Sequence, residues 1–315
     1  MDQGFRARGR VSMNILVTGT SGFVGSALVL RLSKSGHRVV PLQRTSASGS
    51  EAGPNWNPAV GQIHLEPAGP LDAVVHLAGE NIAQRWTPAA KARIRASRVD
   101  ATRLLCEALA RLPQPPRVLV CASATGFYGD RGGEMLDEKS APGTGFLPEV
   151  CQAWEAAADA AQQRSIRVVH LRLGIVLARH SGALAKMLPA FRFGLGGRLG
   201  AGRQFWSWIA LEDLLRTVEL TLQDDSLSGA VNAVSPEPIT NTGFTEALAR
   251  KLRRPAVLPI PAFALKLLFG EMGRAALLAS ARVRPARLLE SGFEFRFPQL
   301  DAVFKQALDQ SQQTT

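Results

Sequence analysis

The chain of 315 residues is long enough to bury a full core, either as one large α/β domain or as one domain with a smaller lobe. Its 46% hydrophobic and 20% charged residues are ordinary for a soluble globular protein, and no apolar run reaches the roughly 18 residues that a membrane-spanning helix needs. With no spanning segment a membrane is not an expected partner; the formal net charge of +11 is spread along the chain rather than gathered in a patch, so nucleic acid is not expected either, and attraction of a phosphorylated cofactor explains part of the surplus.

Residues 1–12 carry Arg6, Arg8 and Arg10 without an apolar stretch behind them, which reads as a disordered leader, or an upstream start before a true Met13, and not as a secretory signal. Three cysteines, Cys106, Cys121 and Cys151, are an odd number without metal-like spacing. They fit a reducing cytoplasm, with Cys106 and Cys121 as buried thiols and no metal site.

Strand-like and helical periods alternate through the first half, the pattern of a Rossmann-type, doubly wound parallel sheet. "MNILVTG" (13–19) reads as the first strand, and "SALVLRLSKSG" (26–36) as a helix ending at Gly36. A second strand follows at 37–44, a weaker third at 62–67 and a buried fourth at 72–79. Thr87 and Pro88 open a long helix running to residue 112. Strands are expected at 116–124 and 166–174, with a helix between them at 146–164. His76 and His170 fall in apolar strands and read as core histidines with satisfied ring nitrogens. The dinucleotide-binding domain is thus placed at 13–175, and a smaller substrate-side lobe at 176–315. In that lobe, 191–209 reads as a structured loop, with helices near 211–223, 241–252, 261–269 and 284–290.

"TGTSGFVG" (18–25) spaces Gly19, Gly22 and Gly25 three residues apart between a strand and a helix. The first permits the tight turn, the second lets the backbone approach a pyrophosphate, and the third lets helix and strand pack. With Ser21, Phe23 and Val24 they form the expected phosphate cradle at a helix N-terminus. The second strand ends on Gln43 and Arg44, where an NAD enzyme usually has an acid for the ribose 2′-hydroxyl. A guanidinium there suits a 2′-phosphate, so NADP(H) is the expected cofactor.

These segments resemble the extended short-chain dehydrogenase/reductase superfamily, together with "HLAG" (76–79), "SATGFYG" (123–129), "LRLGIVL" (171–177) and "WIALEDLL" (208–215). "LAGENI", "SRVDATRLL", "WEAAA" and "FRFGLGGRLGAGRQFWSWI" narrow the resemblance to an atypical epimerase-family subgroup. Its members end in a small DUF1731-type segment, here at about 250–300. The resemblance implies that Leu77, Ala78, Gly79 and Val176 border the cofactor. It leaves the substrate undefined and a homodimer open.

Enzymes of the superfamily exchange a proton through a tyrosine, with a lysine four residues on. This chain has one tyrosine, Tyr128, and Gly132 stands four residues after it, so no Tyr-x-x-x-Lys pair exists. The resemblance puts Cys151 and Glu155 at those positions, Arg98 at the supporting Asn position, and Ser123 at the serine position, where Thr125 competes because the loop behind it is one residue longer than usual. Cys151 reads as a buried small hydrophobe before it reads as a nucleophile. Glu155 could be a general base, pair with Arg98, or be solvated. Arg98 could replace the lysine's contact with the cofactor. Glu80 and Asn81 follow the fourth strand at the ligand-binding end of the sheet, as acid or base and as substrate contact respectively. Tyr128 could donate a proton or simply pack. Arg198, Arg203, Gln204 and Trp208 could contact an anionic or ring-bearing substrate, or form a structural loop. Two readings follow: an NADP(H)-dependent oxidoreductase or epimerase of a small molecule with a non-standard proton shuttle, or a non-catalytic NADP(H)-binding protein.

Overall fold

The computed structural model describes residues 12–45 and 53–309. The expected leader lies outside them except for Ser12, whose hydroxyl donates to the Gly36 carbonyl at 2.8 Å. In chain order the elements are β1 (Asn14–Thr18), α1 (Phe23–Lys34), β2 (Arg38–Arg44), β3 (Asn55–Asn57), β4 (Gln62–His64), β5 (Ala73–His76), α2 (Pro88–Arg111) and β6 (Val118–Ala124). Then come β7 (Met135–Leu136), α3 (Phe146–Asp159), β8 (Arg167–Leu173), β9 (Ile175–Leu177), α4 (Gly182–Arg192), β10 (Phe205–Trp206), β11 (Trp208–Ala210) and α5 (Leu211–Gln223). The chain continues through β12 (Gly229–Ala233), β13 (Ile239–Thr240), α6 (Asn241–Leu252), α7 (Ala262–Phe269), β14 (Arg282–Val283), α8 (Ala286–Glu290) and α9 (Leu300–Asp309).

The main sheet has the order β12-β8-β6-β5-β1-β2-β3-β4 and is parallel except for the β3–β4 pair. Alternation along the strands sends side chains to two buried faces. Ile15 and Val17 pack with Leu28 and Val218, from α1 and α5, on one face. Leu16 packs with Leu105 and Trp154, from α2 and α3, on the other. Chain order reverses between β1 and β5, the switch point at which such sheets open a crevice beyond their carboxyl ends.

Several expected boundaries move. The third strand, expected over 62–67, is a short antiparallel edge strand, because Pro67 sits in a 3-10 turn over Glu66–Ala68. It is preceded by β3, which had no sequence signal. The 146–164 helix is α-helical only to Asp159 and continues as a 3-10 turn over Ala160–Arg164. The 191–209 stretch is not all loop: α4 ends within it and β10 and β11 follow. Beyond residue 175, α5 and β12 return to the main layer. The rest of the lobe has its own core, where Leu184, Trp208, Phe244 and Phe304 meet. Residues 270–283 run across the carboxyl end of the sheet. Met272 packs on Trp86 and Ile94, Glu271 pairs with Lys91, and β14 pairs with β7. No helix among the described residues is long and apolar enough to cross a membrane.

His76 shows how completely the sheet is buried. Its Nδ1 lies 2.7 Å from Thr18 Oγ1 and its Nε2 lies 3.0 Å from Thr102 Oγ1. Burial lowers its pKa from 6.5 to about 4. The unfolded chain therefore takes up a proton that the folded chain refuses between these two values, and stability falls as pH drops through that window. At 1.36 kcal/mol per pH unit the loss approaches about 3 kcal/mol. Urea unfolding from pH 7 to pH 4 should show it, and a His76→Asn reference should lack this component. His170 is satisfied on one side only: Nε2 sits 2.7 Å from Asp159 Oδ1, while Nδ1 is buried with no partner.

Candidate active site

At the end of β1 the chain turns at Gly19 with φ +71°, and a Cβ there would lie 2.9 Å from the Leu77 and Ala78 backbone. A Cβ on Gly25 would lie 2.1 Å from the Gly19 carbonyl oxygen. Both glycines are required by close backbone approach. Gly22 caps α1 without a side-chain bond, and the first turn carries no acid, so the helix N-terminus keeps its attraction for an anion. Ser21 is exposed beside it. The Phe23 and Val24 side chains point away into the fold, towards Gly182 and Val176 respectively, leaving their backbone N–H groups to the cradle. Thr18, which the sequence reading passed over, ties this loop to the next. Its Oγ1 accepts from the Leu77 and Ala78 N–H groups at 3.1 Å each.

Gln43 and Arg44 stand exposed at the carboxyl end of β2. Arg44 is close enough to Glu80 for its charge to help hold that carboxyl below the ordinary range. The largest cause there is the Gln84 hydrogen bond, and Arg93 adds to it. Glu80 Oε1 accepts from Gln84 Nε2 at 3.2 Å and from Arg93 Nε at 3.3 Å. These bonds hold it as a carboxylate at neutral pH rather than as an acid ready to donate. Asn81 is exposed and closes a local turn, its Oδ1 accepting from the Ala83 N–H at 2.9 Å.

Arg98 lies beneath Gly79, its guanidinium 3.3 to 3.5 Å from where a Cβ would stand. It donates to the Glu80 carbonyl at 3.0 Å and the Ile94 carbonyl at 3.2 Å, and it faces the Trp154 ring. Burial lowers its pKa. The expected alternative of an Arg98–Glu155 pair is replaced by another. Arg172, from β8, donates Nε to Glu155 Oε1 at 2.9 Å and Nη2 to Oε2 at 2.8 Å. β8 lies beside β6 and across from α3, so its buried arginine reaches the carboxylate first. Against the opposing effect of burial, Glu155 raises the Arg172 pKa. The signal for Arg172 was present in "LRLGIVL", since a charge in the middle of a buried strand must find a partner.

Ser123, at the end of β6, donates to Glu155 Oε1 at 2.6 Å, and both residues are buried. Cys151 lies one turn away on α3. Burial, reinforced by the Glu155 charge, pushes its thiol up to about 12, which removes it as a nucleophile near neutral pH. Tyr128 is fully buried. Its hydroxyl lies 2.7 Å from Asn232 Oδ1 and 2.9 Å from the Asp137 carbonyl, and it accepts from Arg172 Nη1 at 3.0 Å. Burial pushes its pKa up. The hydroxyl of the sole tyrosine is thus engaged by Asn232, Asp137 and Arg172.

The aromatic loop also divides. Trp208 is buried in the lobe core with its indole N–H on the Glu237 carbonyl at 3.1 Å. Gln204 is buried and donates to the Leu199 and Leu277 carbonyls. Both polar groups are used by backbone, which corrects their reading as substrate contacts. Arg198 and Arg203 are exposed.

The comparisons with known proteins agree with this geometry. A family profile described as "NAD dependent epimerase/dehydratase family" matches residues 15–233, and one described as "Domain of unknown function (DUF1731)" matches residues 260–307. The chain is 41% identical over 282 residues to "Epimerase family protein Mb2239" of Mycobacterium bovis, covering 89% of this chain and 93% of that one. It superposes on the crystal structure of human epimerase family protein SDR39U1 (isoform 2) with NADPH, with a TM-score of 0.83, 32% identity, and coverage of 94% and 99%. The Thermus thermophilus UDP-glucose 4-epimerase complex with NAD shares the fold alone, with a TM-score of 0.74, 20% identity, and coverage of 96% and 99%. Glycine cradle, switch-point crevice and profile match converge: the chain belongs to the NAD dependent epimerase/dehydratase family and carries the DUF1731 segment at its C-terminal end.

Proposed function

We propose that the protein is an NADP(H)-dependent oxidoreductase or epimerase of a small molecule, and that Ser123 and Glu155 replace the tyrosine–lysine pair as its proton shuttle. The observation that carries this reading is the buried 2.6 Å hydrogen bond from Ser123 to Glu155 at the carboxyl end of β6. The glycine cradle fits a dinucleotide because any Cβ at Gly19 or Gly25 would collide with backbone. Arg44 supplies the charge for a 2′-phosphate, and the human relative is solved with NADPH. When bound, the nicotinamide would supply or accept a hydride.

The chain's own residues handle the proton. Ser123, whose hydroxyl donates a hydrogen bond to Glu155 Oε1, keeps Oγ lone pairs that can accept the proton of a substrate hydroxyl. Glu155 Oε1 then takes the serine's proton, and Arg172 holds the carboxylate in line. Replacing Ser123 with alanine should lower turnover by roughly 10²–10⁴-fold and leave NADPH affinity unchanged. The readout is substrate loss from a metabolite extract incubated with NADPH and followed by mass spectrometry; full turnover in the variant removes Ser123 from the mechanism.

Arg44→Ala should weaken NADPH binding by about 1.5–3 kcal/mol while leaving NADH unaffected, as measured by fluorescence titration. An unchanged NADPH constant sinks the cofactor assignment. A second reading, a non-catalytic NADP(H)-binding protein, is favoured by the closed Tyr128–Arg172–Glu155–Ser123 chain, in which Arg172 and the Glu155 carboxylate already bind each other. Firm NADPH binding with no turnover across broad extracts would select it.

A further inference from the structure

Of the twelve large apolar residues exposed among the described residues, eight lie in two segments, 193–195 and 257–269. The two segments form one surface. The Ile260 N–H donates to the Arg198 carbonyl at 2.9 Å, Leu199 and Ile260 form a β-bridge, and a Cβ on Gly194 would touch Pro255 at 3.5 Å. From this surface Phe193 is 80% exposed, Val257 77%, and Phe263 and Leu267 73% each, with Leu258 and Leu268 more than half exposed. Scattered single apolar residues are normal on a protein surface, but a contiguous set is not.

Within the two segments the charge has one sign, and two acids outside them, Glu271 and Asp301, pair with Lys91 and Arg250. Arg192, Arg253, Arg254 and Lys266 are exposed in or beside it. No aspartate or glutamate occurs between residues 160 and 211, or between 247 and 270. A two-fold pairing of copies through this face would set each copy's arginines against the other's with no acid in either segment to answer them. A peptide partner would need a groove, whereas these side chains stand out from the surface. Exposed aromatic and aliphatic side chains among cations, on segments that carry no acid, suit an interface with anionic headgroups, the apolar tips entering the acyl boundary and the cations meeting the phosphates.

We infer that this face, formed by residues 193–195 and α7 with the segment before it, docks on the surface of a bilayer carrying anionic lipid. It adjoins the 270–283 segment, which begins where Gly270 approaches Arg85. The inference departs from the expectation of no membrane partner, which rested on the lack of a spanning segment.

The test is co-sedimentation of the purified full chain with vesicles of phosphatidylcholine alone and of phosphatidylcholine with one quarter phosphatidylglycerol. Partition is expected only with the anionic vesicles and should fall with added salt. F263S/L267S and R253E/R254E should each lower it roughly tenfold or more. All four side chains are exposed, so both variants should keep the parent's circular-dichroism melting curve. No partition into anionic vesicles, equal partition into neutral ones, or partition unaffected by both variants would overturn the inference. A concentration-dependent dimer that F263S/L267S abolishes, without vesicle binding, would assign the face to a second copy instead. Binding of polyglutamate without vesicle binding would assign it to an acidic protein.

Discussion

An Arg172→Ala protein should lose about 3–5 kcal/mol of unfolding free energy, a large fraction of what a domain this size holds. Arg172 is buried and makes three hydrogen bonds of 3.0 Å or less, two to Glu155 and one to Tyr128. Its guanidinium also lies 3.5 Å from the centre of the Phe127 ring. Deleting it strands an ionised carboxylate in the interior, and the penalty comes from that abandoned charge more than from the lost attraction. The double change Arg172→Met/Glu155→Leu should therefore recover most of the loss, because it removes both charges and fills similar volume. Denaturant unfolding measures all three proteins. A loss below about 1 kcal/mol in the single variant would mean that Glu155 reaches water, and it would remove the basis for reading Glu155 as part of a dry proton shuttle.

The second large effect is on cofactor binding. Gly25→Ala puts a methyl group 2.1 Å from the Gly19 carbonyl oxygen and 2.8 Å from the Gly19 carbonyl carbon, and neither is the end of a flexible side chain. The first turn of α1 must move away from the glycine loop, and with it the N–H groups that should meet the pyrophosphate. NADPH affinity should fall at least about a hundredfold, roughly 2.7 kcal/mol. Gly36→Ala is the control. Gly36 has φ +85° but no atom within 4 Å of a built Cβ, so only backbone strain of about 1–2 kcal/mol is expected there, with NADPH affinity unchanged. Equal NADPH affinity in Gly25→Ala and the parent would place the dinucleotide elsewhere.

The parallel sheet and its crevice were legible because their signals are periodic and local. Ile15, Leu16 and Val17 alternate between two cores, Thr87 and Pro88 open α2, and the glycines are spaced for a turn. The missing tyrosine–lysine pair was legible as a count. The short strands β7, β10 and β14 were not, because two residues carry no period and owe their shape to their partners. Pro189 inside α4 hid that helix. In the site, the partner of Glu155 escaped the sequence reading because Arg172 comes from a different element, and only the fold sets which of several arginines arrives. Trp208 and Gln204 had the composition of a ligand-binding cover, and backbone carbonyls at Glu237, Leu199 and Leu277 use their donors instead. Thr18 was unremarked because its task, holding the Leu77 and Ala78 N–H groups, exists only once β1 and β5 lie side by side.

The most direct test is calorimetric titration of the unaltered protein with NADPH and, separately, with NADH. With Arg44 at the end of β2 and Gln43, not an acid, before it, NADPH should bind at least roughly tenfold more tightly. Equal affinities, or a preference for NADH, would contradict the assignment of this crevice to NADP(H).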